Sequence, residues 1–285
     1  MRLCRYDDDR LGVVIGDQVH DVTPAQDEIR RAARYDMFGD AVIAALPEWS
    51  GKIAEMAKKA PGKPLSQVKL LPPVARPSKV MAAPTNYRAH IAEMAERSGT
   101  APENHRGIGA AGIFLKANSS IVGQSGTIPL RFLERLNEHE LEVVIIIGKK
   151  GTNISRENAL DHIAGYCMGL DMTTRGKEDR SFRKSIDGYS PVGPWIVTAD
   201  EIADPDNLPI VLTVNGVTKQ ESNTSNLVYD IRKLIEFASS FYTLHPGDYF
   251  FTGTPNGVSP VRPGDWVTAA CPQIGELKIQ ASEQK

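Results

Sequence analysis

The stretch HELEVVIIIGKK, residues 139–150, decides the fold. Val143 to Ile147 is an unbroken β-branched run, the pattern of a strand buried on both faces. Immediately before it stand Glu140 and Glu142. Side chains alternate along a strand, so these two carboxylates share a face at the mouth of a buried strand. Like charges a few ångströms apart repel, and each raises the other's pKa unless something positive lies between them. A Glu-x-Glu pair on a solvated strand end is an ordinary surface feature; the adjoining apolar run weighs against that reading here.

A third acid points the same way. GYCMGLDMTTRG, residues 165–176, reads as a second apolar strand interrupted by Asp171. Aspartate is disfavoured inside strands, and a buried, unpaired carboxylate is costly. A shared divalent cation explains three such acids most economically. All-oxygen ligation suits Mg²⁺, with Mn²⁺ or Ca²⁺ as alternatives, whereas zinc prefers histidine and cysteine. His139 alternates to the opposite face and reads as a supporting residue.

The rest of the chain bounds the function. Its 285 residues, 41% hydrophobic and 24% charged, suffice for one large domain or a large one with a small companion. A net charge of −2 gives no reason to expect nucleic acid or an anionic membrane as partner. No apolar run approaches the roughly 20 residues of a membrane span, and the opening MRLCRYDDDR lacks the apolar segment of a signal peptide. Cys4, Cys167 and Cys271 are scattered without CxxC spacing, the expectation being a reduced, cytoplasmic protein without catalytic cysteine.

The first residues predict two short strands joined at residues 16–18, then helices over DAVIAAL (40–46) and IAEMAKKA (53–60). Pro72, Pro73 and Pro77 stiffen a connector and place a boundary near residue 72, with a small N-terminal domain (1–72) and a larger one (73–285). In the larger part Ser155 is placed to cap a short helix over 156–163. Ile231, Leu234, Ile235, Ala238 and Phe241 recur at helical spacing. PNG (255–257) and RPGD (262–265) are turn signals between strands. The class is α+β with strands dominating the C-terminal part.

At the level of whole motifs the chain resembles the fumarylacetoacetate hydrolase family. ELEVVIIIG is followed by GLDMTTR, and the likeness extends through NYRAHIAEM (86–94), FLKANSSIVG (114–123), RKSIDGYSPVGPWIVT (183–198), VNGVTKQESNTSNLVYDI (214–231) and LHPGDYFFTGTPNGVSPVRPGD (244–265). These segments come in the family's order and cover nearly everything after residue 72. The resemblance implies a mixed β-roll preceded by a small N-terminal α+β domain, a homodimer, and a catalytic metal held by Glu140, Glu142 and Asp171.

His90 and Glu93 lie three apart, so on a helix they share a face and can hydrogen-bond. A carboxylate beside an imidazole orients it and raises its basicity, which suits proton removal from water. Spacing alone favours a surface pair; the resemblance reverses that and makes it the family's catalytic dyad on a closing segment. The following residues, 97–112, are polar and glycine-rich, the composition of a lid. Arg175, Arg183 and Lys184 read alone as a solvated basic loop. They also offset a site that keeps net negative charge even with one divalent ion, and the resemblance makes Lys184 an active-site lysine, with Arg175 near substrate. TGTPNG offers Thr252 and Thr254 on a tight backbone turn, and the resemblance assigns Thr254 to substrate, along with Tyr87 and Lys116 in the NYR and FLK motifs. One departure stands out. Many relatives carry a glutamine for the oxyanion where this chain has Glu178, which leaves Arg180 or Lys177 to take that part, or the chemistry to differ.

The resemblance and the acid cluster together imply an enzyme for small dioxo acids: hydrolysis of a carbon–carbon bond in a 2,4-dioxo acid, an acylpyruvate or sugar-derived diketo acid, giving pyruvate or a related 2-oxo acid. The alternative on the same site is decarboxylation or isomerisation of a 2-oxo or 2-hydroxymuconate-type acid, with oxaloacetate as a test substrate. A catalytically dead binding homologue is the third reading, and five retained polar residues weigh against it.

Overall fold

The computed structural model describes residues 1–33, 38–101 and 107–284. The chain opens with β1 (Arg2–Tyr6), β2 (Arg10–Ile15) and β3 (Gln18–Asp21), an antiparallel meander, then α1 (Thr23–Ala32), α2 (Ala41–Lys59) and β4 (Gly62–Pro64). The two helical patterns expected over 40–60 form one 19-residue helix containing Pro47. Asp40 starts it by accepting hydrogen bonds from the Val42 and Ile43 amides at 2.9 and 3.1 Å.

The longer part contributes β5 (Val80–Ala82), α3 (Arg88–Ser98), α4 (Ile108–Ala111), β6 (Phe114–Lys116), β7 (Ile121–Val122), β8 (Thr127–Leu130), β9 (Asn137–His139) and β10 (Leu141–Ile147). There follow β11 (Ile163–Leu170), β12 (Thr173–Thr174), α5 (Arg180–Lys184), β13 (Ser190–Thr198), β14 (Pro209–Val214), β15 (Val217–Asn223), α6 (Ile231–Phe241), β16 (Tyr249–Phe251), β17 (Ser259–Pro260), β18 (Trp266–Cys271) and β19 (Gly275–Glu283).

A large mixed sheet runs β4-β3-β2-β1-β13-β11-β10-β16-β5-β6, with β7 added beside β13. The first four strands thus extend the sheet of the longer part, through β1 antiparallel to β13. A second sheet, β15-β14-β18-β19-β8, covers one face. Strand β10 lies near the middle of the large sheet, between β11 and β16, with every residue buried. Val143, Ile145 and Ile147 enter a core shared with Leu212, Val267 and Ile279 of the second sheet and Leu234 of α6. Val144 and Ile146 enter another, against Leu3, Val13, Ile29, Ile43 and Ile53 of the N-terminal segment. Each such side chain contributes roughly 1.5–3 kcal/mol of burial free energy, which fixes the register of the strand and hence the direction of its acids.

Two local expectations are corrected. Ser155 opens a turn followed by a short 3₁₀ helix, Ala159–His162, without a side-chain cap, because the segment is too short for an α-helix before β11 begins. Phe241 lies exposed at the end of α6, where the helix has run past the core; Ile231, Leu234, Ile235 and Ala238 are buried as its spacing requires. Part of the expected lid, residues 102–106, lies outside the described residues.

The chain changes sheets at two corners. Strand β9 pairs with β12 and β17 in a small third sheet, whereas β10, one residue on, pairs within the large one. The residue between them is Glu140. The step from β11 to β12 falls at Asp171 and Met172. The two corners face each other across the end of the β10–β11 ladder, where Leu141 opposes Leu170 and the Asp171 amide donates to the Glu140 carbonyl at 2.9 Å.

Candidate active site

The corners create the site because a sheet switch ends the ladder and leaves side chains facing a gap. Glu140, Glu142 and Asp171 are each buried and can bring one carboxylate oxygen apiece within 4.8 Å of the others. Glu142 sits opposite Gly169 in the ladder, where an added Cβ would come within 2.4 Å of Val144 and 2.8 Å of Phe251. No larger residue fits there without moving the strand that carries the acid. Gly253 adopts φ +105°, a conformation strained for other residues, and so turns its amide onto the Glu142 carboxylate at 2.6 Å.

Two lysines sit against the acids. Lys184 donates to Glu140 at 2.6 Å and to Asp171 at 2.7 Å. Lys116 pairs with the other Asp171 oxygen and donates to the Tyr189 carbonyl at 2.9 Å. Burial would raise the Glu140 carboxyl, but the charges of Lys184, Arg175 and His90 outweigh it and hold it at about 2. Glu142 goes the other way: burial and the neighbouring charges of Asp171 and Glu140 push it well above the usual carboxylate range. Three carboxylates against two ammoniums leave one negative charge uncompensated, at Glu142. A hard divalent cation fits this donor set: the oxygens converge, the deficit is negative, and among the described residues the converging cluster contains no histidine or cysteine.

The acids floor a small cavity of about 100 Å³. Helix α3 closes one side and brings His90 to it. The His90 Nδ1 meets the Glu93 carboxylate at 2.9 Å, one helical turn on. A carboxylate only accepts, so Nδ1 carries the hydrogen and Nε2 remains the basic nitrogen. Glu93 is itself fixed by the Gly257 amide at 3.2 Å and by Arg97 at 3.3 Å. Burial would raise the Glu93 carboxyl, but the hydrogen bond and charge of His90 bring it below its ordinary value. Thr85, in the cavity wall, has φ +47°, an unfavourable backbone for a β-branched residue and an instance of strain held at a site.

The remaining sequence candidates divide. Arg175, Lys184 and Thr254 line the cavity with Arg180 and Arg183. Arg175 pairs through Nε with Glu138, and its Nη2, 3.6 Å from Glu140, has no hydrogen-bond partner. Tyr87 and Lys116 depart from the expectation of substrate contact. The Tyr87 ring is packed in the core, its buried hydroxyl unpartnered, and Lys116 lies behind Asp171 rather than in the cavity wall. Thr252 is likewise internal, donating to the Val143 carbonyl at 2.8 Å. Glu178 turns outward, paired with Arg135 at 3.0 Å; Lys177 is outside the cavity wall as well.

Two polar residues that support the site escaped the sequence reading. Glu138 is buried and held by Arg175 and, at 3.2 Å, by Arg97 of α3. It ties the helix that carries His90 to the arginine of the opposite wall. Its signal was present: Glu138, Glu140 and Glu142 alternate on one strand face. Gln220 of β15 accepts from the Leu141 amide at 2.9 Å and donates to Thr254 Oγ1 and the Pro255 carbonyl, each at 2.8 Å. Its oxygen also faces His139 Nδ1 at 3.0 Å, so that nitrogen carries the hydrogen, and Nε2 accepts from Ser259 at 2.8 Å. Nothing in the sequence marks Gln220 among the polar residues of an exposed hairpin strand.

Comparison with known proteins agrees with this architecture. Residues 79–281 match the family described as fumarylacetoacetate (FAA) hydrolase, C-terminal. The chain is 47% identical over 284 residues to a maleylpyruvate hydrolase of Aquipseudomonas alcaligenes, covering 98% of each. Among solved structures it is similar to the maleylpyruvate hydrolase of Sphingobium sp. SYK-6 in complex with manganese(II) and pyruvate, with TM-score 0.86, 38% identity and full coverage of both chains. It is also similar to a 5-carboxymethyl-2-hydroxymuconate delta-isomerase of Mycobacterium smegmatis, with TM-score 0.72, 30% identity and full coverage of both.

Proposed function

The chain belongs to the fumarylacetoacetate hydrolase family, and from that premise we propose that it hydrolyses a carbon–carbon bond in an acylpyruvate, in a metal-dependent reaction yielding a 2-oxo acid and a carboxylic acid. The observation that carries this reading is the joint placement, on one cavity, of three converging carboxylates and the His90–Glu93 pair. The similarity to two maleylpyruvate hydrolases supports hydrolysis over the other chemistries of the family.

A divalent cation held by Glu140, Glu142 and Asp171 would supply Lewis acidity toward the oxygens of a β-dicarbonyl group and toward the departing enolate. The protein does the rest. His90 takes a proton from water through Nε2 while Glu93 holds the ring and stabilises the imidazolium. The hydroxide adds to the carbonyl carbon distal to the substrate carboxylate. The bond from that carbon to the methylene breaks, its electron pair passing to the pyruvate enolate beside the Lys184 ammonium. The proton held by His90 returns to the enolate carbon, so that acylpyruvate and water become pyruvate and the free acid. We assign the substrate carboxylate to Arg175, whose Nη2 has no hydrogen-bond partner, and to Thr254, both in the cavity wall.

We read Mg²⁺ as the working ion, with Mn²⁺ able to replace it, from the all-oxygen donor set. A homodimer is supported by exposed apolar residues, among them Leu133, Leu136 and the paired rings of Phe132 and Phe182; a monomer by light scattering would refute it. A cytoplasmic setting is supported by three buried free cysteines; among the described residues no helix is long and apolar enough to cross a membrane. The central test is metal-stripped protein with Mg²⁺ or Mn²⁺ restored, assayed on acylpyruvates and oxaloacetate with products read by NMR. Pyruvate plus free acid is the expected result. CO₂ from oxaloacetate with acylpyruvates untouched would replace hydrolysis by decarboxylation on the same metal site.

A further inference from the structure

Addition of hydroxide to the distal carbonyl puts a negative charge on its oxygen, and the strongest donors of the cavity are committed elsewhere. Lys184 is held by Glu140 and Asp171 at 2.6 and 2.7 Å. Arg175 pairs with Glu138 and is assigned to the substrate carboxylate. Glu178 lies outside the cavity wall. The hydroxide comes from His90 on α3, so the oxyanion forms on that side of the cavity. The wall there includes Ala83, Pro84 and Thr85, just ahead of the helix.

Thr85 is half-buried and makes no hydrogen bond among the described residues, either through its amide or through its hydroxyl. Its φ of +47° is costly for a β-branched side chain. Both neighbours are pinned, so the strain cannot relax. The Ala83 amide donates to the Phe251 carbonyl at 3.0 Å. The Asn86 side chain donates to the Thr252 and Tyr229 carbonyls at 2.8 and 2.9 Å and accepts from the Tyr229 amide at 2.8 Å. Pro84 fixes its own φ between them. The Asn86 Cβ also packs directly on Gly253, where an added Cβ would lie 2.7 Å away, so the segment sits on the turn that anchors Glu142. A glycine would take the conformation of Thr85 without strain. The strain therefore secures the side chain, not the turn, and it does so in the wall of a catalytic cavity.

We propose that Thr85 is a catalytic residue, its hydroxyl donating to the oxyanion of the tetrahedral adduct. The inference rests on the hydrolytic reading of the same cavity. As hydroxide adds, the carbonyl π pair moves onto oxygen and meets the Thr85 O–H. As the carbon–carbon bond breaks, that pair returns to remake the carbonyl of the free acid, and the hydroxyl keeps its proton throughout. A donor already fixed by its neighbours need not reorganise when the charge appears, which is what makes such a contact effective in a buried site.

The test follows hydrolysis of acetylpyruvate or succinylpyruvate, whichever the wild type cleaves faster, by the manganese-loaded enzyme and by Thr85→Val, Thr85→Gly and Thr85→Ser. Thr85→Val keeps the β-branched shape without the hydroxyl; Thr85→Gly removes the hydroxyl and the strain together, so a folded variant is available even if the valine one is not. Both should lose kcat by about a hundredfold, the scale on which loss of one oxyanion donor is felt. Thr85→Ser should recover kcat to within about threefold of the wild type. Calorimetry supplies a readout that mere packing would not move. The phosphinate analogue of the same substrate, tetrahedral and anionic at the atom attacked, should bind the valine and glycine variants about tenfold or more weakly, with pyruvate binding unchanged. Wild-type kcat in Thr85→Gly would overturn the proposal, as would a serine variant no faster than the glycine one, or equal losses of phosphinate and pyruvate binding. A wild type that decarboxylates oxaloacetate and cleaves neither acylpyruvate would remove the hydrolytic reading, and Thr85 with it; cleavage by the wild type with unaffected variants would remove Thr85 alone.

Discussion

The two ends of the cavity are built on opposite electrostatic plans. At the floor, Glu140 and Asp171 interlock with two lysines at hydrogen-bonding distance and Glu142 is held by the Gly253 amide, all of them buried, with one negative charge left over. At the α5 end, two half-buried arginines converge, with no ion pair to either among the described residues. The floor is rigid because each group is fixed by another group of the protein, and its deficit suits a small cation. The arginine end instead carries two positive charges that form no ion pair among the described residues. One cavity thus joins a floor whose charges are mutually fixed to a wall whose charges are not.

The comparison breaks most completely at Glu142. Its carboxylate repels Asp171 and Glu140, and the Gly253 amide and the charge of Lys184 offset this only in part. Glu142→Gln keeps the shape and removes the repulsion. Metal-dependent turnover should fall by about 10³-fold or more, the scale expected when one charged contributor to an electrostatic site is lost. Metal-free protein should become more stable, by roughly 1 kcal/mol. Calorimetry checks both arms: Tm should rise for the metal-free variant, and the further rise produced by Mn²⁺ on the wild type should vanish. A variant with lower metal-free Tm would mean that the floor is not under repulsion.

The next break lies between the ends. Glu138 holds Arg97 on one side and Arg175 on the other. Glu138→Gln leaves a neutral group between two partly exposed arginines and loosens α3, which carries His90. A loss of roughly 1–3 kcal/mol in transition-state stabilisation is expected, ten- to a hundredfold in kcat/KM. Because Glu138 acts through Arg175 and α3, Mn²⁺ affinity should stay near the wild-type value while kcat/KM falls. Altered metal affinity would place the effect at the floor instead.

How far these regions could be read in the sequence follows from the range of the contacts. Val143 to Ile147 declared a two-sided strand because both cores act on consecutive residues. The acids were legible as exceptions within that pattern. His90 and Glu93 were legible through a contact one helical turn long. Glu138 continues the same alternation but lies on β9, outside the apolar run, and its partners Arg97 and Arg175 are about forty residues away on either side. Lys116 reaches Asp171 from β6, 55 positions away, and Gln220 joins Leu141 and Thr254 from a different sheet. Such contacts leave no local period. The same holds for β1 beside β13, which merges the first strands with the main sheet across nearly two hundred residues. The boundary read at Pro72 marks a stiff connector, and the sheet runs through it.

Gln220 sharpens the contrast at the floor, since it fastens the start of β10 to the Thr254 turn without touching the acids. Gln220→Ala leaves the Leu141 amide and the neighbourhood of His139 unsatisfied in a buried place. A stability loss of about 1–3 kcal/mol is expected, measured by urea denaturation. The kinetic effect should be smaller than that of Glu138→Gln and fall mainly on KM, through Thr254. A stability unchanged within error would mean that water replaces the amide.

The smallest effect is expected at Glu178, and its smallness is informative. The residue stands where the family resemblance leads one to expect a glutamine, yet its carboxylate lies outside the cavity wall and pairs with Arg135, both groups about a third exposed. A pair of that kind contributes about 0–1 kcal/mol. Glu178→Gln should therefore leave kcat within roughly twofold of the wild type, because no reacting atom is within its reach while the Arg135 pair holds. Its carbonyl, not its side chain, is what Arg183 uses, so the arginine end is preserved as well. A gain in kcat of tenfold or more would instead mean that the loop re-registers during turnover and brings position 178 onto the substrate. The arginine end would then be a moving part of the catalytic centre, and its contrast with the fixed floor would be one of dynamics as well as charge.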